Sequence, residues 1–436
     1  MRTASWKVRL AAAGLVVLVG VAGTACSSTN SSSTATTKGS SGSSAIPASA
    51  FSDHTGITPT SVRVGNISTL DLGGLFKGAL VGTEAYAAYV NSTGGVNGRK
   101  IVVDSGADQY GNGALNKSLT QQALTSDFSL VGGFSLNDNF GGLVLAQNPG
   151  FPNVSVVLDT KTNQLPNVFS PVPLNAGWDT GPLQYFKTKY PKDIGGVGTL
   201  VASSPSAQVD WNGEKAALVH LGYKVVYEPQ YPVTTTDFTP QVIAMRNAGV
   251  KMLFVDQMPE QYASALVKAL NLQNFHPVVI FGAATYSPNM VPASGGAAAV
   301  EGDNFEQNAS LYQGEDASAL PAVGTFLHWV NVVSPGFKPD LFTMYGWVSA
   351  QLFAQGLKAA GSNPSRGSLL TALSKVTSYN ADHLIATTNP AAKTNGNCYI
   401  VAVYHNGVLQ RTDDPPTNGP AAGYRCDGVY YTAPGS

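Results

Sequence analysis

Between residues 62 and 281 the chain alternates short apolar runs with longer stretches in which apolar residues recur every three or four positions. Residues 62–67 alternate apolar and polar with the period of a strand, and residues 82–90 carry alanines and tyrosines at helical spacing. Gly94-Gly95 supplies a turn with positive φ, and Ile101-Val102-Val103 opens the next strand. The alternation goes on to predict a helix over 112–126 and strands over 129–133 and 153–157. Pro171-Val172-Pro173 interrupts it, and a second series begins. That series has strands over 195–201, 223–227, 251–255 and 277–281, with helices over 208–221, 239–248 and 260–272. Strands alternating with helices of roughly 10–15 residues predict parallel sheets covered on both faces. Two such series around a proline break predict an α/β protein of two Rossmann-like lobes. Beyond residue 283 the pattern loosens into helices over 320–333, 341–360 and 367–376. A strand over 398–404 then ends in the hairpin turn His405-Asn406-Gly407.

The N-terminus is of another kind. Arg2, Lys7 and Arg9 precede an apolar run over 10–22, too short for a mature membrane span, so residues 1–25 read as an export signal. Ala25-Cys26 resembles a bacterial lipoprotein processing site, which implies lipidation of Cys26, although Gly23 stands where leucine is usual. Residues 26–56 are dominated by Ser, Thr, Gly and Ala up to about residue 50, a composition that cannot bury enough apolar surface to order itself. They form a tether. The expected location is the outer face of the cytoplasmic membrane.

Composition narrows the functional classes. Charged residues are 12% of the 436 and the net charge is −1, so nothing favours a nucleic-acid partner. Besides Cys26 the chain has Cys398 and Cys426, an even pair that in an exported protein points to a disulfide. The six histidines form no i, i+4 pair, and no cysteine has a partner at ligand spacing, so no metal and no cofactor is expected. Gly-x-Ser-x-Gly, Walker and dinucleotide motifs are missing, and the loop after the first strand, Ser68-Thr-Leu-Asp-Leu-Gly-Gly74, lacks the dinucleotide fingerprint. The residues give no positive reason to propose an enzyme.

The stretch over 62–104, with its turn Asn91-Ser-Thr-Gly-Gly-Val-Asn-Gly-Arg-Lys100, resembles the opening βαβ unit of type I periplasmic solute-binding proteins. This is the Leu/Ile/Val-binding family that feeds ABC transporters. The segment Thr235-Thr-Asp-Phe-Thr-Pro-Gln-Val-Ile resembles the family's run towards its second binding loop, and the likeness covers residues 57–410. It implies a lobe of residues 57–172 and 284–395, a second of 173–283 and 396–436, and a hinge of three crossings. It also implies a monomeric receptor that closes on a small polar or amphipathic solute, an amino acid or related carboxylate or amide, and is then recognised by a permease. A sensor lipoprotein would share these features, and an extracellular hydrolase on the same scaffold is a more distant alternative.

In open α/β sheets ligands bind beyond the carboxyl ends of the strands, which directs attention to the loops there. Ser135 matches the family's serine-rich ligand loop and would equally cap the next helix; Asn137 lies in the same loop. Ser155 and Asp159 fall where amino-acid binders carry a Ser-x-Ala-x-Thr-like run, and Val157 and Asp159 depart from it. Asp159 either receives an ammonium or hydroxyl or caps the chain from Thr160 onward. In the second lobe Gln257 and Glu260 come after a buried strand. Glu260 resembles the family's acidic partner of a ligand ammonium, and a Glu in a first helical turn also suits the helix dipole. Trp211 is placed to close over a ligand or to fill the core, and Tyr286 stands at a hinge crossing.

Overall fold

The computed structural model describes residues 46–433 apart from Asn175, Ala176 and Gln257; the expected signal, Cys26 and the tether up to residue 45 lie outside the described residues. The first sheet holds β1 (Ser61–Thr69), β2 (Lys100–Asp108), β3 (Ser129–Val131) and β4 (Asn153–Val154) in the order β2-β1-β3-β4, every pairing parallel. Between them run α1 (Lys77–Ser92), α2 (Gly113–Ser126) and α3 (Asp138–Gln147), and the short α4 (Thr160–Asn163) comes after β4. Every residue of β1 from Val64 to Thr69 is buried, as expected of a strand covered on both faces.

After β5 (Trp178–Asp179) and α5 (Gly181–Lys189) comes the second series. It contains β6 (Val197–Gly198), β7 (Val201–Ala202), α6 (Pro205–His220), β8 (Val225–Tyr227), β9 (Gln230–Tyr231) and α7 (Thr239–Ala248). It continues through β10 (Met252–Val255), α8 (Glu260–Leu272), β11 (Val278–Phe281), α9 (Met290–Ser294) and β12 (Asn304–Gln307). After α10 (Pro321–Val333), α11 (Leu341–Ala359) and α12 (Arg366–Leu373), the hairpin β13 (Ile400–His405) and β14 (Val408–Arg411) completes a seven-stranded sheet. Its order is β14-β13-β12-β11-β10-β6-β8.

The expected return to the first lobe at residue 284 comes later. β12 pairs in parallel with β11, Phe305 is fully buried, and the Asn304 amide donates to the Val279 carbonyl, so residues up to 307 extend the second sheet. α10 and α11 pack on α1, and α12 packs on α11. Gly82 and Gly346 permit the contact of α1 with α11, since a Cβ at either would lie 1.9 or 2.1 Å from a backbone oxygen of the facing helix. Three crossings join the sheets and are hydrogen-bonded to one another. The Thr388 hydroxyl donates to the Pro171 carbonyl at 2.8 Å, and the Ala386 amide donates to the Asn308 carbonyl at 2.7 Å. The final strand β15 (Tyr430–Tyr431) pairs with β5, and Cys398 and Cys426 form a disulfide. Among the described residues no helix is long and apolar enough to cross a membrane.

Candidate functional site

A cleft of about 970 Å³ opens where the carboxyl ends of both sheets face each other. From the first sheet it receives Leu72 and Phe76 after β1, Tyr110 after β2, Phe134 and Leu136 after β3, and Val156 to Leu158 after β4. Phe342 and Tyr345, from the start of α11, complete this wall. Its rings hold one another: Phe76 meets Phe134 at 4.7 Å and Phe342 at 4.5 Å edge-on, and Phe134 meets Tyr345 at 5.7 Å. Such mutually packed rings make a stiff apolar surface.

The second sheet contributes polar groups. Asp256 stands after β10, Gly282 and Ala284 after β11, and Glu306 and Gln307 end β12. Asp210 of α6 and Asp179 of β5 join them. Behind these stands Glu214, 1% exposed, and the carboxyl of Asp256 shares hydrogen bonds with those of Glu214 and Glu306. Two carboxyls can share a hydrogen bond only if one of them keeps its proton. Burial pushes Asp210 up to about 7, and burial together with the charge of Asp256 raises both Glu214 and Glu306 well above the ordinary carboxylate range. The C-terminal segment closes one side, where Tyr399, Tyr430 and Tyr431 line the cleft next to Cys398.

The loops read from the sequence border this cleft, yet none of the named ligand residues that the structure describes lines it. Ser135 is 5% exposed and turns inward, donating to Asp108 at 2.5 Å while its oxygen accepts the Asn137 amide at 2.9 Å. Asn137 donates to the Gln109 carbonyl at 2.8 Å. Ser155 faces a separate void of about 40 Å³ within the first lobe. Asp159 caps α4, accepting the Thr162 amide at 2.8 Å. Trp211 is 2% exposed and donates to Glu228 at 2.6 Å, which is the core role. Glu260 occupies the first position of α8, and Tyr286, also 2% exposed, donates to Glu315 at 2.5 Å. Gln257 lies outside the described residues.

The cleft residues are the neighbours: Asp210 beside Trp211, Asp256 beside Gln257, Leu158 and Thr160 on either side of Asp159. Glu306 is hidden from a sequence reading because β12 carries no alternation long enough to stand out. The tail tyrosines sit outside any regular pattern.

A sequence model described as periplasmic binding protein matches residues 61–407. The chain belongs to the periplasmic binding protein family. This is a family of solute-binding proteins, and its type I fold is that of the two sheets and their crossings. The chain is 26% identical over 294 residues to a Leu/Ile/Val-binding protein homolog of Brucella abortus (strain 2308), covering 65% of this chain and 73% of that one. A fatty acid ABC transporter substrate-binding protein from Thermomonospora curvata superposes with a TM-score of 0.68 at 16% identity, over 88% of this chain and 95% of that one. A solute-binding protein of an ABC transporter from R. palustris, solved with benzoate, gives 0.67 at 16% identity over 84% and 98%. The family match ends before the tail, so Cys426 and the tyrosines of β15 lie beyond the matched region.

Proposed function

We propose that this protein is the extracytoplasmic receptor of an ABC importer and captures an amphipathic solute between its two lobes. The observation that carries this reading is the cleft of about 970 Å³ at the carboxyl ends of the parallel strands of two facing sheets, apolar on one side and hydrogen-bonding on the other. That volume lies at the upper end of the range for small-molecule sites and exceeds what a single amino acid fills. Hydrogen-bonded crossings between the lobes support a hinge: a solute touching both walls favours the closed form by the difference in its affinity for the two states. A permease then recognises the closed form. Export by the leader and lipidation at Cys26 complete the layout, holding the receptor at the outer face of the membrane on its tether.

The test is a thermal-shift panel of amino acids, aromatic carboxylates, amides, amines and alcohols on the purified protein. Trp178, which lines the cleft, serves as a fluorescent reporter. A solute at about a hundred times its Kd adds about 2.7 kcal/mol of stability. A solute that raises the melting temperature and also perturbs Trp178 supports the receptor reading. Turnover of any solute in the panel would sink it.

A further inference from the structure

The cleft carries charge of one sign. Asp179, Asp210, Asp256 and Glu306 all line it, and among the described lining residues there is no lysine, arginine or histidine. Behind them Glu214, 1% exposed, shares a hydrogen bond with Asp256, so this group of carboxyls is satisfied only among its own members. Buried carboxyls in native proteins are normally paired with a cation, so a group of them at a ligand cleft with no cation beside it points to a positive charge that arrives with the ligand. Several of the groups that could instead receive an anion are occupied. Of the helix starts at the cleft, α4, α6 and α11 are capped by Asp159, Ser204 and Asp340, and Asp179 accepts the Gly181 amide at the start of α5, whereas α1 and α8 carry no side-chain cap. The hydroxyls of Ser135 and Ser155 lie outside the cleft lining.

Resting on the receptor reading above, we infer that the solute is an amphipathic organic cation. Its ammonium sits against Asp210, Asp256 and Glu306, and its aliphatic or aromatic body lies on the wall of Phe76, Phe134 and Phe342. A carboxylate against the same acidic wall meets like charge wherever these carboxyls are ionised, which weakens binding of fatty acids, benzoate-like anions and zwitterionic amino acids as pH rises. Capture of the cation displaces protons from the acidic group, because a neighbouring positive charge favours the ionised carboxyl. The groups facing that charge are Asp179 on β5 (itself acted on by Asp427), Asp210 and Glu214 on α6, Asp256 after β10, Glu306 on β12, and the Tyr345 phenol on α11. Affinity for a cation therefore rises with pH while the amine stays protonated; affinity for an anion falls.

Calorimetric titration of the full protein with three probes of one shape tests this: phenylbutylamine, phenylbutanol and phenylvalerate. The amine is expected to bind at least about tenfold tighter than phenylvalerate and to tighten by about tenfold between about pH 6 and pH 8. In buffers of different ionisation enthalpy its binding heat should report proton release by the wild-type protein. In a doubly substituted protein, Asp256→Asn with Glu306→Gln, the amine should lose about tenfold or more in affinity while phenylbutanol is unaffected. If phenylvalerate or phenylbutanol binds as well as the amine, or if no proton is released, the cation inference falls and the receptor reading stands. If all three probes fail but a solute of the wider panel binds, the outcome is the same. If nothing binds, both fall.

Discussion

At position 282 the space, and not the backbone angle, demands glycine. Its φ is −93°, open to any residue, yet a Cβ there would lie 2.5 Å from Asp256 Oδ1 and 2.8 Å from the Asp256 Cα. Gly282→Ala must displace the carboxyl on which the acidic group turns, and overpacking of this kind costs about 1–3 kcal/mol. The expected result is a lower melting temperature together with loss of ligand-induced quenching at Trp178. Gly324→Ala is the control: it sits on the exposed side of α10 with nothing within 4 Å of the new methyl. That substitution should raise stability by about 0.5–1 kcal/mol and leave binding alone. Equal destabilisation by both would show that residue 282 carries no special constraint. The same scale shows where reading the sequence stops. Adjacent residues on a helix point about 100° apart, so locating α6 at a cleft does not say whether Asp210 or Trp211 faces it. Trp211 attracts attention as an aromatic, but its large ring belongs in the core, and the smaller acid is left to face the ligand.

Elements with strong periodicity are legible in the sequence almost to the residue. Helices over 239–248 and 260–272 coincide with α7 and α8, because each has a turn signal at both ends and an apolar face in between. α3 and α5 are not legible: Asp138–Gln147 carries Gly141-Gly142 in its middle, and Gly181–Lys189 lies just after the proline break. β12, β5 and β15 are two to four residues long and are defined by their partners alone, which no local pattern reveals. The β5–β15 pair gives the tail its place. The tail is held by the Cys398–Cys426 disulfide, by the Asn397 amide donating to the Gly428 carbonyl at 2.7 Å, and by His220 stacked on Tyr431 at 4.0 Å. With the cysteines 28 positions apart, the bridge is worth roughly 3–4 kcal/mol through the entropy of the unfolded chain. Cys398→Ser with Cys426→Ser should lower the unfolding free energy by up to that amount in urea titration. Because Tyr430 and Tyr431 line the cleft, solute dissociation should also quicken. Unchanged stability and unchanged dissociation would mean that hydrogen bonds alone hold the tail.

For the whole molecule, the arrangement of two sheets with facing carboxyl ends is implicit in the two alternating series, whereas the charge of the space between them is not. That charge comes from Asp179, Asp210, Asp256 and Glu306, residues far apart in the chain that only the crossings bring together. It has a consequence for stability. Burial pushes Asp138 and Asp179 up to about 6 and Asp210 up to about 7, and it raises Glu214, Glu306 and Asp303 well above the ordinary carboxylate range. In the unfolded chain all of them titrate near about 4, so between about pH 4 and pH 7 the folded form binds more protons. Stability then falls as pH rises through that window, since its slope is set by the protons bound by the unfolded chain minus those bound by the folded one. A tenfold difference in proton affinity between folded and unfolded chain is worth about 1.4 kcal/mol, which sets the scale of the slope. Lys393 supplies the opposite limb. Its ammonium lies 3.9 Å from the Phe169 ring centre and burial pushes it down to about 7, so from there to about pH 10 the unfolded chain holds the extra proton and stability recovers. Unfolding in urea across this range should therefore pass through a minimum at neutral to mildly alkaline pH. Asp210→Asn should shallow the acid-side slope. A bound organic cation should flatten it further, by stabilising the ionised carboxyls that no cationic side chain of the cleft balances. A stability curve that instead rises steadily from about pH 5 to pH 8 would show that these carboxyls are already ionised in the folded protein.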